Sequence, residues 1–304
     1  MLPGIELLVD AIDCHVHACP HINARSVNVF EATRQAAASG MRGIGLMDNF
    51  QNSSGMAALA MAELGHLGVD VFGGLILEPP AGGVSVEAVK IGLKYGYGKG
   101  TGARFVSLPT HHTKNIARKE GRSPAYIDAC LGIPLKGGLP DPLREILDLV
   151  AEHDIVLNTG HLSGEEAAKL VGEAKRAGVE RILVPYLYYS LEEVKDVAGL
   201  GAFVEFSFFF LTHATQVGLT HVDEEKHTVW PLTLNEMAKA ILAATPRQSI
   251  LSGDLGVYVL PPPSEGFREF LLLIESSGLS REELRVMSAV NPASLFRVKP
   301  REET

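Results

Sequence analysis

Apolar residues fall along this chain in short, near-continuous runs that alternate with longer stretches of helical spacing. The runs over 42–47, 69–77, 104–108, 155–159, 181–187, 202–210 and 249–252, together with a first one that emerges from Ile5 to Ile12, read as strands buried on both faces. Between them, 26–39, 54–67, 85–95, 141–153, 164–177, 191–198 and 234–244 repeat apolar positions every three to four residues and read as helices. In the first of these, Val29, Ala32, Thr33, Ala36 and Ala37 share one face, Ser26 offers a cap and Gly40 a stop.

Eight strand-then-helix units with strands of this kind predict a closed parallel (β/α)8 TIM barrel rather than an open sheet. Two further helices, 266–276 and 280–290, finish a single domain spanning 1–304. Two connections are long for a compact domain, 109–140 after the fourth strand and 211–233 after the seventh. Both follow a strand, so in a barrel both lie on the face that carries catalysis.

Composition narrows the field of partners. With 46% hydrophobic and 21% charged residues the chain is an ordinary globular protein, and 36 acidic against 27 basic residues give a net charge of −9. That balance, with no basic stripe, argues against nucleic acid or an anionic membrane as partner and leaves a small molecule as the expected substrate. The sequence is compatible with a homo-oligomer. The N-terminus has no basic segment before an apolar one and no apolar run approaches a membrane span, so a cytoplasmic address is expected. Cys14, Cys19 and Cys130 form no disulfide pattern, and Cys14 reads as a small buried hydrophobe.

The chemistry is concentrated at strand ends. The first strand closes on Asp13-Cys14-His15-Val16-His17-Ala18-Cys19-Pro20-His21. Strict alternation would turn His15 and His17 one way and Cys14 and Val16 the other, giving half a metal site on one rigid element. The fifth strand delivers His161 and the eighth delivers Asp254. Each has a plainer reading alone, as a surface, capping or turn residue. Together they occupy equivalent ends of three strands, and three imidazoles with one carboxylate suit a single divalent ion, zinc first, with a position left for water. Such an ion brings the pKa of bound water from about 15.7 toward about 7. Asp254 is then both ligand and catalytic proton acceptor.

On these residues, and on the tail Asn291-Pro292-Ala293-Ser294-Leu295-Phe296, the whole chain resembles the metal-dependent amidohydrolase superfamily, whose members are distorted (β/α)8 barrels. The stretches Gly73-Gly74-Leu75-Ile76-Leu77, Gly82-Gly83, Leu108-Pro109-Thr110, Thr159-Gly160-His161-Leu162-Ser163 and Ser252-Gly253-Asp254-Leu255-Gly256 look like a functionally uncharacterised branch of it. The resemblance implies zinc or a similar ion on His15, His17, His161 and Asp254, and hydrolysis at a carbonyl or phosphoryl centre. Many members bridge two ions with a carboxylated lysine or a glutamate ending strand four and add a histidine ending strand six. Here those places hold Ser107-Leu108-Pro109-Thr110-His111-His112 and Val184-Pro185-Tyr186, which favours one ion.

Further polar residues are candidates for the substrate. Arg25 has the fork to bind a carboxylate or phosphate, His111 and His112 open the fourth loop as ligand or proton donor, and the Tyr186 hydroxyl could polarise a carbonyl. A solvated arginine, idle loop histidines and a core tyrosine are the alternatives. Glu78 ends strand three, Asp48 ends strand two, and Glu205 lies inside strand seven, where burial demands a partner or a raised pKa. His213, His221 and His227 show no ligand spacing, and Phe203, Phe206, Phe208, Phe209 and Phe210 suit a buried strand better than a binding platform. The expected activity is attack of a metal-activated hydroxide on an amide, lactone or ester carbonyl. A metal-dependent decarboxylase, with Arg25 holding a carboxylate, and a non-catalytic metal-binding or ligand-binding barrel are the alternatives.

Overall fold

A computed structural model describes residues 2–97, 101–214 and 230–300. Nine strand segments run parallel in the order β1 (Ile12–Val16), β2 (Gly43–Leu46), β3 (Asp70–Gly73), then β4 (Leu75–Ile76), β5 (Phe105–Ser107), β6 (Val156–Asn158), β7 (Ile182–Pro185), β8 (Phe203–Ser207) and β9 (Ser249–Ser252). With the intervening helices they form a (β/α)8 barrel. β3 and β4 are halves of the third predicted strand, parted at Gly74. There the Gly74 amide donates to Ser53 Oγ at 3.0 Å, and that hydroxyl bonds the Leu46 carbonyl at 2.7 Å. A side chain thus replaces one rung of the ladder. A Cβ on Gly74 would lie 2.2 Å from the Phe105 carbonyl oxygen, so the close approach requires glycine.

The seam between β1 and β9 is joined by a parallel bridge from Val16 to Leu255 and by the His17 amide, which donates to the Leu255 carbonyl at 2.7 Å. Inside the barrel, Ile12, Cys14, Phe72, Phe105, Val156, Leu183 and Ile250 form one apolar cluster with Leu295 and Phe296 of the tail. The opposite faces of the strands meet the helices in a second, larger cluster. Phe296 stacks on Phe72 with ring centroids 4.7 Å apart, and Arg104 grips Asp70 with two bonds of 2.7 and 2.8 Å while reaching the Phe296 carbonyl. The tail motif therefore plugs the end of the barrel remote from the site.

Several predicted boundaries move for local reasons. The first helix starts at Val29 (Val29–Ala38) because Asn28, forming a capping box with Glu31, takes the capping place expected of Ser26. Residues 19–28 are instead a loop clipped at its base, where Cys19 bonds Val27 and Val29 through its backbone. The fourth loop contains helices Lys114–Lys119 and Pro124–Ala129, each started by a Thr or Ser side-chain cap. Strand seven ends at Ser207 and continues as a 3-10 turn, Phe208–Leu211. The last predicted helix divides at a π-helical turn, Val286–Val290. Among the described residues no helix is long and apolar enough to cross a membrane.

Candidate metal centre

Strict alternation does not describe the end of β1. Asp13 pairs with Ile44 and Val16 with Leu46, so β1 spends three residue steps where β2 spends two. That irregularity sends Cys14 into the barrel interior and Val16 into the outer layer, instead of both into one layer. A bulge of this kind re-aims side chains beside a site. Here it brings His15 Nε2 and His17 Nε2 to 3.3 and 3.0 Å from one oxygen, Oδ1 of Asp254. Asp254 is itself set in a left-handed conformation, φ 50°, directly after β9.

Two buried carboxylates support this group. Glu205, in β8, accepts from His15 Nδ1 at 2.9 Å, which fixes the tautomer and leaves Nε2 as a donor of its lone pair. This is the partner that a glutamate inside an apolar strand required. Asp13 accepts the amides of His15 at 3.1 Å and Gly253 at 2.8 Å, tying the end of β1 that carries His15 and His17 to the turn that carries Asp254.

The charges are arranged to favour a cation. Burial alone would push the His15 imidazolium down, but Asp254 and Glu205 on either side outweigh it and raise His15 to about 9. His17 moves down, chiefly through burial. Burial would raise Asp254, yet the facing histidines hold it below its ordinary value. His15, His17 and Asp254 offer ligand atoms that all lie within 4.8 Å of one another. Spacings of 3.0 and 3.3 Å between donors are those expected around one ion held at about 2.0–2.1 Å. The residues therefore fit a single divalent ion.

The other candidate residues are placed differently. His161 stands outside that three-residue group, with its ring 6.1 Å from that of Phe210, and burial lowers its pKa. Its turn is held by the fourth loop: the His161 carbonyl accepts from Thr113 Oγ1 at 2.9 Å and Asn115 Nδ2 at 3.2 Å, and its amide donates to Pro109. Arg25 is half-buried near Asp254 and Asp48, in contact with His21. Tyr186 lies in the outer apolar cluster, 5% exposed, with its hydroxyl 3.5 Å from the Tyr189 carbonyl. Asp48 accepts from the Phe50 amide and Gln51. His213 is exposed, and His221 and His227 lie outside the described residues.

His111 and His112 are gathered by Glu78. Its carboxylate takes the amides of Thr110, His111 and His112, the Thr110 hydroxyl and His112 Nδ1, at 2.6 to 3.2 Å. Burial works to raise the Glu78 pKa, but these bonds, His112 foremost, bring it below the ordinary range. Sequence reasoning noted Glu78 only as a strand end, because its donors lie 32 to 34 positions on, at the start of the loop after the neighbouring strand. Asp13 was passed over although it opens the motif, and so was His21, which closes it.

Residues 10–205 match the model of a family of unknown function, DUF6282. The chain belongs to that family. No protein of curated function matches it by sequence. Among solved structures it is similar to an organophosphorus hydrolase from Deinococcus radiodurans, with 14% identity, a TM-score of 0.53, and 88% of this chain and 82% of the other covered. A mutant of a phosphotriesterase-like lactonase from Deinococcus radiodurans gives 14% identity and a TM-score of 0.54 over 88% and 85% of the two chains. A structure from the engineering of organophosphate hydrolysis activity out of a weak promiscuous lactonase gives 14% identity and a TM-score of 0.56 over 97% and 98%. At this identity the likeness establishes the shared fold.

Proposed function

We propose that the chain is a metal-dependent hydrolase of the amidohydrolase type acting on an amide, lactone or ester carbonyl of a small molecule. The observation that carries this reading is the convergence of His15 Nε2 and His17 Nε2 on Asp254 Oδ1 at the C-terminal mouth of the barrel. Those three residues would hold one divalent ion, zinc being the ion such a nitrogen and oxygen set suits, with His161, within electrostatic reach of Asp254 and His15, as the candidate fourth ligand. When bound, the ion supplies Lewis acidity and lowers the pKa of water toward about 7.

The chain's own groups do the rest. Asp254, kept ionised by its histidines, is placed to accept the proton of the attacking water and to return it to the leaving group. Glu205 keeps the proton of His15 on Nδ1. The lactonase and organophosphorus hydrolase neighbours lend support at the level of fold. A single ion is favoured because both oxygens of Glu78, the buried carboxylate bonded to the start of the fourth loop, are already engaged by five donors.

Elemental analysis of protein purified without chelator, paired with a screen of lactones, carboxyl esters and N-acyl compounds, tests the reading. We expect close to one ion per chain, turnover that disappears on chelation, and loss of both in His17→Ala. Absence of stoichiometric metal, or release of carbon dioxide in place of hydrolysis, would overturn it.

A further inference from the structure

His15 and His161 are oriented by different means. A ligand imidazole ordinarily donates its second N–H to a fixed acceptor, as His15 does to Glu205. Among the described residues no hydrogen bond reaches the His161 ring, which meets the ring of Phe210 edge to face with centroids 6.1 Å apart. The direction of that imidazole is therefore set by the backbone that carries it.

The start of the fourth loop grips this backbone on both sides. The His161 amide donates to the Pro109 carbonyl at 3.1 Å, and the His161 carbonyl accepts from Thr113 Oγ1 at 2.9 Å and from Asn115 Nδ2 at 3.2 Å. Asn115 Nδ2 also reaches the Leu162 carbonyl at 3.2 Å, so the two hydrogens of one amide span two successive carbonyls. Neither carbonyl belongs to the helix that follows, which is capped by Ser163 and begins at Gly164. The grip is itself fixed in place. Thr113 Oγ1 accepts from the Ile116 amide at 3.2 Å as the cap of Lys114–Lys119, and the three residues before Thr113 are bonded through their amides to Glu78.

We propose that Asn115 and Thr113 are positioning residues of the metal centre: by holding the His161 carbonyl they present its imidazole to the ion on His15, His17 and Asp254. The proposal rests on the hydrolase reading for that ion. His161 lies within electrostatic reach of Asp254 and His15 but outside the group that those two form with His17, so a small turn of its backbone decides whether the ring reaches the ion. Asn115 and Thr113 are the side chains that oppose such a turn from the fourth loop, and they act without touching the ion.

The test loads the full-length protein with cobalt(II), whose visible absorption reports ligand number and geometry, and measures zinc affinity by competition with a chromophoric chelator. Asn115→Ala removes the bridging amide, and Asn115→Asp keeps its shape while setting an acceptor against the two carbonyls. His161→Ala gives the spectrum without the fourth imidazole. Both Asn115 variants should move the cobalt bands toward those of His161→Ala and weaken zinc by about tenfold. Thr113→Val should do the same and Thr113→Ser, which keeps the hydroxyl, should restore the wild-type spectrum. Thermal melts show which variants are folded, and the two Asn115 variants suffice should Thr113→Val not fold. Folded Asn115 variants with lower melting temperatures but wild-type cobalt bands and zinc affinity would reduce the two side chains to structural supports and end the proposal. A wild-type spectrum in His161→Ala would end it as well. Either result, with cobalt lost in His17→Ala, leaves the metal reading standing, whereas cobalt bound equally by His17→Ala removes that reading and the proposal with it.

Discussion

Replacing Glu205 tests whether the centre depends on a residue that touches no ion. Glu205 is 1% exposed and accepts from His15 Nδ1 at 2.9 Å, while its second oxygen, Oε2, has no partner. Glutamine keeps a carbonyl acceptor for His15 but removes the charge and turns an amide NH2 toward the place where Oε2 had nothing to bond. Leucine removes the acceptor altogether and frees the imidazole to change tautomer. Groups in this position typically change metal affinity by about 10–100-fold. That corresponds to about 1.4–2.8 kcal/mol. We expect Glu205→Gln near the lower end and Glu205→Leu near the upper end. Competition for zinc against a chromophoric chelator reads the affinity, and a thermal melt of each variant shows that it is folded. A folded Glu205→Leu protein that binds zinc as the wild type does would refute the assignment of His15 as a ligand oriented by Glu205.

Two further perturbations probe the loops around the mouth. Glu78→Gln sets an NH2 against the donors of His112 and should cost about 1–3 kcal/mol. Because folding lowers the Glu78 pKa, its ionic contribution is complete above the unfolded value of about 4.3 and fades as pH falls through the lower folded value. Urea titrations should therefore show the wild type and Glu78→Gln converging on the acid side; a gap that ignores pH would contradict the bonding seen. Gly160 has φ +62°, and a Cβ there would lie 2.2 Å from the Pro109 carbonyl oxygen, so Gly160→Ala should destabilise by about 1–3 kcal/mol. Gly172→Ala, on helix Gly164–Arg176 where the nearest atom to an added Cβ is 3.8 Å away, should instead be neutral or stabilising by about 0.5–1 kcal/mol in the same assay.

The barrel was legible because a strand buried on both faces leaves an apolar run whose end can be read, and His15, His17, His161 and Asp254 all sit at such ends. The bulge in β1 was not legible. It depends on how Asp13 and Val16 register against Ile44 and Leu46 on the neighbouring strand, and alternation within one strand carries no information about the next. Glu205 announced that it needed a partner, but His15 lies 190 positions away and only barrel closure brings them together. The tail Asn291 to Phe296, read in the sequence only as part of a family likeness, proves to close the opposite end: Asn291 Nδ2 bonds the Pro246 and Ser249 carbonyls while Phe296 fills the interior against Phe72. Arg25 and Tyr186 were proposed on equal terms from chemistry alone. Geometry separates them, with Arg25 near Asp254 and Tyr186 among apolar side chains.

The seam and the centre answer to the same charges. Asp13, Glu205 and Asp254 bring three carboxyl groups into the region where β1 meets β9, against His15 and His17. Burial raises Asp13 to about 7, while the amides of Gly253 and His15 work against that rise. Its neighbour His15 is raised to about 9 by Asp254 and Glu205 acting against burial. One carboxyl gains a proton more readily and one imidazole holds a proton more tightly, and both changes add positive charge to an enclosure that has too little of it. A divalent cation on His15, His17 and Asp254 would supply that charge directly and would bring Asp13 back toward the ionised form, in which its bonds to the His15 and Gly253 amides are strongest. On this argument ion binding also tightens the β1 to β9 junction, because the atoms that would hold the ion are carried by the two segments Asp13 joins.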